Sequence, residues 1–278
     1  MSLSNKIALV TGASRGIGKG IAQVLSEAGA VVYITGRTVD DQPSASKLSG
    51  SITQTAEEIA ASGGVCIPIQ CDHSDDDQVA KVFEQIKNQH GRLDILVNNV
   101  WGGYQHFTDG TPFWQEQGFW ETPISRWDAM FQAGVRAHYV SSVYATQLML
   151  PNQSGLIINL SFFAAERDDQ GVAYGTSKAA TNHMTKCMAS ELAPHNISVV
   201  CLYPGLVRTE SVLAGAEHLD LSNSESPQFI GRAVVALAQD KNVMSRTGTI
   251  SIAAELALEY GFTDVDGSQP RPLTAKDI

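Results

Sequence analysis

Short apolar runs alternate with helix-patterned stretches along almost the whole chain. The runs KIALVT (6–11), VVYIT (31–35), VCIPIQ (65–70), LDILVN (93–98), GLIINL (155–160), ISVVCL (197–202) and GTISIA (248–253) hold few polar residues. Strands of that composition need cover on both faces, which predicts a parallel sheet. Helical patterns at 16–28, 51–62, 75–90, 125–149, 174–193 and 227–239 supply the cover. Ser226 and Pro227 form a cap and first-turn pair for the last of these. Strand alternating with helix predicts an α/β, doubly wound fold with seven parallel strands and helices on both faces. No internal repeat or linker divides the sequence, so residues 1–278 read as one domain.

Three segments break the rhythm. Residues 38–50 are a polar insertion after the second strand, 100–124 an aromatic-rich loop after the fourth, and 205–226 a loop after the sixth. Ligands in such sheets bind beyond the carboxyl ends of the strands, so all three should border one crevice. Residues 255–278 read as a C-terminal tail.

Composition narrows the partners. A net charge of −10 argues against nucleic acid or an anionic membrane as a main partner. No apolar run is long enough to span a bilayer, and the N-terminus enters a strand without a signal-peptide pattern. Cys66, Cys71, Cys187 and Cys201 make no metal-ligand spacing or disulfide ladder, which fits a reducing, cytoplasmic setting and no metal site. Cys66 and Cys201 fall in apolar runs and read as small buried hydrophobes.

The first strand runs into TGASRGIG, with Thr11, Gly12, Ser14, Arg15, Gly16, Ile17 and Gly18 leading into an apolar helix. Glycines at such a turn let the backbone approach a pyrophosphate at the helix N-terminus. The end of the second strand separates NAD from NADP. An acid there binds the ribose 2′-hydroxyl, whereas a nearby Arg accepts a 2′-phosphate. Here Gly36 stands where the acid would be, and Arg37 follows. With Arg15 as a second cation, NADP(H) is favoured over NAD(H).

Tyr174 and Lys178 lie four residues apart in AYGTSKAA, with Ser161 thirteen residues before Tyr174. Positions i and i+4 share a helix face. An ammonium beside a phenol favours the phenolate, so the Tyr can titrate below its usual value of roughly 10. It can then exchange protons with an alcohol or carbonyl oxygen, while the Ser hydroxyl bonds the same oxygen.

In this order, TGASRGIG, NNVWGG, Ser161, YGTSK and YPGLVRT resemble the short-chain dehydrogenase/reductase family over about residues 5–255. GFTDVDG and FWETP resemble its subgroup typified by dehydrogenase/reductase member one. The resemblance implies a Rossmann-type oxidoreductase acting on CH–OH and C=O groups. Thr11 and Gly12 through Gly18 would form the cofactor loop. Asp72 would contact the adenine, Asn98 would support the sheet along the cofactor, and Pro204, Gly205, Val207 and Thr209 would meet the nicotinamide carboxamide. Ser161 would orient the substrate oxygen and Tyr174 act as general acid/base. Lys178 would hold the ribose and tune the Tyr. A homodimer or homotetramer, often through helices 125–149 and 174–193, is implied as well.

Two positions depart from the family pattern. Val100-Trp101 replaces the usual Ala-Gly, and Gly134 stands where the family often has a proton-relay Asn. Trp101, Tyr104, His106, Phe107, Phe113, Trp114, Phe119 and Trp120 crowd the loop after the fourth strand. That loop reads either as a lid over an apolar carbonyl substrate, with Trp101 and Phe113 as contacts, or as a packing or interface element. Two other functions stay open: an NAD-dependent dehydrogenase of the same fold, and a dinucleotide-binding sensor without turnover.

Overall fold

The computed structural model describes residues 2–40, 48–103 and 118–277. Its strands are β1 (Ile7–Val10), β2 (Val31–Gly36), β3 (Val65–Gln70), β4 (Ile95–Asn98), β5 (Gly155–Leu160), β6 (Ile197–Tyr203) and β7 (Ile250–Ile252). They form one sheet in the order β3-β2-β1-β4-β5-β6-β7, and every neighbouring pair is parallel. The central strands are buried on both faces, which explains their continuous apolar character. β3 lies at an edge and pairs only with β2, so Pro68 removes no ladder bond between two strands. Edge placement also leaves Cys66 half-buried, not enclosed as its apolar run suggested; Cys71 and Cys201 are the buried thiols.

Nine α-helices surround the sheet among the described residues: α1 (Gly16–Glu27), α2 (Ile52–Ala61), α3 (Asp76–His90), α4 (Ile124–Met130), α5 (Ala137–Met149), α6 (Val172–Leu192), α7 (Glu210–Ala214), α8 (Pro227–Gln239) and α9 (Ala253–Tyr260). Alternate residues of one strand feed opposite cores. Ala8 and Val10 pack with Ile21 and Leu25 of α1 and Phe229 and Val234 of α8. Leu9 packs on the other face with Phe83 and Ile86 of α3, Met149 of α5 and Leu192 of α6. Each fully buried side chain of this size contributes roughly 2 kcal/mol. Ser226 caps α8 by accepting from the Phe229 N–H at 3.0 Å, and Pro227 occupies the first turn.

Two elements differ from the sequence reading. The single helix expected at 125–149 is α4 and α5 joined by a π-helical stretch, Phe131–Arg136. An extra residue per turn there re-aims the side chains around Gly134, a distortion frequent at functional sites. The expected tail contains α9, which buries Ala253, Ala254, Leu256 and Ala257 against the α1–α8 layer. Strand order reverses between β1 and β4, so the loops leaving those two strands diverge and open a crevice at their carboxyl ends.

Candidate active site

A cleft of about 840 Å³ occupies that crevice. Its walls include Gly12, Ser14, Arg15, Gly16 and Ile17 from the β1–α1 turn, and Thr209 and Glu210 from the segment after β6. Gly12 and Gly16 have φ of +70° and +56°, a region that L side chains adopt only under strain. A Cβ on Gly18 would lie 2.4 Å from the Gly12 carbonyl oxygen, so Gly18 lets the helix close onto its own turn.

The turn is held from β4. Thr11 is fully buried, and its hydroxyl donates to the Val97 carbonyl while accepting from the Asn99 and Val100 N–H groups. The Asn99 amide donates to the Thr11 and Gly12 carbonyls, both at 2.9 Å. Asn99 lines the cleft; Asn98 does not. The Asn98 amide turns into the core and donates to Asn159 Oδ1 at 2.8 Å and Ser142 Oγ at 3.0 Å. Its side chain therefore braces β4, β5 and α5, and the cleft-facing amide belongs to its neighbour. Successive residues of a strand point to opposite faces, so this assignment needed the register.

Arg37 and Asp72 stand together at the far end of the cleft, 4.0 Å apart. Burial pushes the Asp72 carboxyl up, but two hydrogen bonds from Ser74 and the Arg37 charge outweigh it and leave the group below its usual range. Arg15 also lines the cleft, yet its guanidinium donates to the Ser49 and Gly50 carbonyls at 2.8 and 2.7 Å. Those bonds tie the returning end of the 38–50 insertion over the glycine turn.

Ser161, at the end of β5, meets α6, which carries Tyr174 and Lys178. The Ser161 hydroxyl is buried and donates to the Lys178 backbone carbonyl at 3.2 Å. Its oxygen keeps lone pairs for a further donor. The Lys178 ammonium lies 5.6 Å from the Tyr174 ring centroid and meets no hydrogen-bond acceptor among the described residues. Burial pushes it down to about 8. The Trp101 ring approaches Tyr174 edge-on with centroids 5.6 Å apart, and Phe162 flanks the same phenol at 6.4 Å. Trp101 lines the cleft, whereas Ser161, Tyr174 and Lys178 lie beyond it. The indole thus stands between the glycine-turn half of the crevice and the phenol.

Pro204, Gly205 and Val207 are buried in the segment after β6, and Thr209 caps α7 by accepting from the Val212 N–H. Glu225 holds the segment in place. Its carboxylate accepts from the Gly205 N–H at 2.7 Å, and its backbone pairs with Leu206 and Arg208. Arg208 in turn donates to Asp264 at 3.0 Å, and Asp264 accepts from the Ser226 N–H at 2.8 Å. Glu225 was not foreseen, because a Glu in a polar loop reads as solvated until its burial is seen.

His138 on α5 is buried, with Nε2 3.0 Å from the Val100 carbonyl. A carbonyl only accepts, so the ring donates there. Burial first, and the Lys178 charge second, push its imidazolium down to about 3, which keeps it neutral. Phe113, proposed above as a substrate contact, and Tyr104, His106, Phe107 and Trp114 lie outside the described residues. Phe119 and Trp120 are exposed and stack edge to face on each other. Among the described residues no group of metal-ligating side chains is assembled, and no helix is long and apolar enough to cross a membrane.

The residues fit a dinucleotide. The Gly16 N–H at the head of α1 already attracts a carboxylate, the turn admits close approach, and Lys178 presents an unpartnered ammonium among the described residues. The family model for short chain dehydrogenase matches residues 6–218. The chain belongs to the short-chain dehydrogenase/reductase family and is an NAD(P)-dependent oxidoreductase with a Rossmann-type fold. It is 40% identical to Dehydrogenase/reductase SDR family member 1 of Mus musculus over 279 residues, covering 95% of this chain and 85% of that protein. A short-chain type dehydrogenase/reductase from Mycobacterium marinum matches with a TM-score of 0.74 at 30% identity, over 90% of this chain and 94% of that one. A metagenomic short-chain oxidoreductase in complex with NADP matches with a TM-score of 0.70 at 30% identity, over 91% and 96% of the two chains.

Proposed function

We propose that the protein is an NADP(H)-dependent carbonyl reductase/alcohol dehydrogenase in which Tyr174 is the general acid/base. The observation that carries this reading is the meeting of Tyr174 with the Lys178 ammonium beside the buried Ser161 hydroxyl. When bound, the nicotinamide supplies or accepts the hydride. The protein's own residues manage the oxygen. Ser161 hydrogen-bonds the carbonyl oxygen, and Tyr174 delivers a proton to it. Lys178 holds a positive charge beside the phenol, which stabilises the phenolate left behind. In oxidation the same phenolate takes the proton from the alcohol. Trp101 walls the place where the substrate carbonyl would sit, so an apolar or aromatic carbonyl compound suits it.

The preference for NADP(H) rests on Arg37 at the cleft's far end and on the lack of an acid at Gly36. The NADP carried by the metagenomic relative agrees with it. A homodimer or homotetramer is supported by the apolar surface of α4–α6, where Tyr139, Val143 and Trp127 are exposed and Trp127 stacks on Phe131 at 4.2 Å. Four free thiols suit a reducing compartment such as the cytoplasm.

The test is mass spectrometry of dinucleotide retained by the purified protein, followed by NADPH and NADH consumption with a panel of ketones and aldehydes. Consumption with NADPH and an apolar carbonyl is expected. Dinucleotide retention without turnover on any substrate would favour the sensor instead.

A further inference from the structure

The head of α1 is already occupied by a carboxylate. The Gly16 N–H donates to Glu210 Oε2 at 2.9 Å, with Oε1 at 3.3 Å. These residues are 194 positions apart in the chain, so the contact crosses the crevice from the segment after β6 to the turn after β1. α1 has no cap of its own. Arg15 at the N-cap makes no side-chain capping bond, and the first turn carries no acid. Glu210 supplies the missing anion from outside. Helix N-termini attract negative charge within their first turn, so this carboxylate sits where a dinucleotide's pyrophosphate belongs. Glu210 also lines the cleft beside Thr209.

We infer that Glu210 is an internal competitor for the pyrophosphate and is the residue that sets dinucleotide affinity. The inference rests on the dinucleotide reading of the cleft. A pyrophosphate and a carboxylate cannot share one N–H, and two like charges at that spacing oppose each other. Cofactor uptake therefore displaces Glu210. As the first residue of α7, Glu210 carries that helix with it when it leaves, and Thr209, the α7 cap, touches the same spot. A Cβ on Gly16 would lie 3.3 Å from Thr209 Cγ2. Cofactor arrival is thereby linked to movement of the 205–226 loop, and release is assisted by the returning carboxylate.

The test is calorimetric titration of wild type, Glu210→Gln and Glu210→Ala with NADPH, NADH and inorganic pyrophosphate. Removing the competing charge should tighten dinucleotide and pyrophosphate binding roughly two- to thirty-fold, the range of a charge at a helix N-terminus. Glu217→Gln, which alters an exposed acid further along the loop, should leave every constant unchanged. A residue with a merely structural role would weaken binding when removed, so the direction of change discriminates. Equal or weaker affinity in both Glu210 variants overturns the inference while leaving the dinucleotide reading intact. If neither dinucleotide binds any of the proteins, the functional reading fails, and the pyrophosphate titrations decide the Glu210 inference alone. Pyrophosphate that fails to bind Glu210→Ala also counts against it.

Discussion

Gly134 faces the indole of Trp101: a Cβ built on Gly134 would lie 3.5 Å from Trp101 Cδ1. The two positions where this sequence departs from the family pattern are therefore neighbours in space. The indole stands against the place from which an Asn side chain would project, and the Gly makes room for the indole. A Cβ alone fits at ordinary contact distance, but an Asn adds three more heavy atoms. Gly134→Ala should leave stability within about 1 kcal/mol of wild type. Gly134→Asn should cost about 1–3 kcal/mol through overpacking. Adding Trp101→Ala should recover at least about 1 kcal/mol of that loss, a coupling measurable by denaturant unfolding of the four proteins in a double-mutant cycle.

Glu225 makes stability depend on pH. Burial, then the Asp264 charge, push its carboxyl up to about 7 against the opposing effects of the Gly205 N–H and Arg208. The folded chain holds this proton more tightly than the unfolded chain. The stabilisation is thus complete below the ordinary carboxylate range and is lost as pH rises through about 7. Glu225→Gln keeps an acceptor for Gly205 and removes the charge. Its stability relative to wild type should rise by roughly 1–3 kcal/mol between pH 5 and pH 8.5, read by urea unfolding at each pH.

Lys178 sets an opposite limit. Burial lowers it to about 8, so the folded chain releases this proton more readily than the unfolded chain. Its contribution to stability therefore increases as pH climbs from about 8 toward the ordinary lysine value, while the ammonium beside Tyr174 disappears. Turnover should fall above pH 8. In Lys178→Arg, slower overall, that alkaline decline should vanish, because guanidinium keeps its charge. Profiles of kcat and kcat/KM against pH for both proteins check this.

Much of this architecture was legible in the residues. β3, β5 and α8 begin and end where the sequence placed them, and Gly64, Gly155 and the Ser226–Pro227 pair mark their starts chemically. The π stretch at 131–136 was not legible, since nothing local distinguishes it from an ordinary turn until Trp101 packs against it. Nor was α9, whose apolar residues are useful only because α8 lies beside them. In the candidate site, the approach of Ser161 to the helix that carries Tyr174 and Lys178 was visible from type and spacing. Asn99, Glu210 and Glu225 act through bonds to residues 20 to 194 positions away, which no local pattern encodes. Arg15 was visible as a cation, but its engagement with Ser49 and Gly50 depends on the path of the insertion.

Arg37 would carry the proposed preference for NADP(H). It is more than half exposed and only loosely tied to Asp72, so it is available to a 2′-phosphate at little cost. Arg37→Ala should weaken NADPH binding about tenfold, the scale of one charge-assisted phosphate contact, and change NADH binding less than twofold. Fluorescence titration of both dinucleotides measures the ratio, and equal losses for the two would remove Arg37 from the assignment.

The central claim is that the Tyr174 phenol moves the proton on oxygen. The most direct measurement is single-turnover carbonyl reduction by Tyr174→Phe, made alongside the dinucleotide Kd of the same preparation. The predicted result is a Kd within about twofold of wild type and a rate lower by roughly 10²–10⁴, since only the proton route is removed. A variant that reduces the carbonyl at close to the wild-type rate would contradict the account.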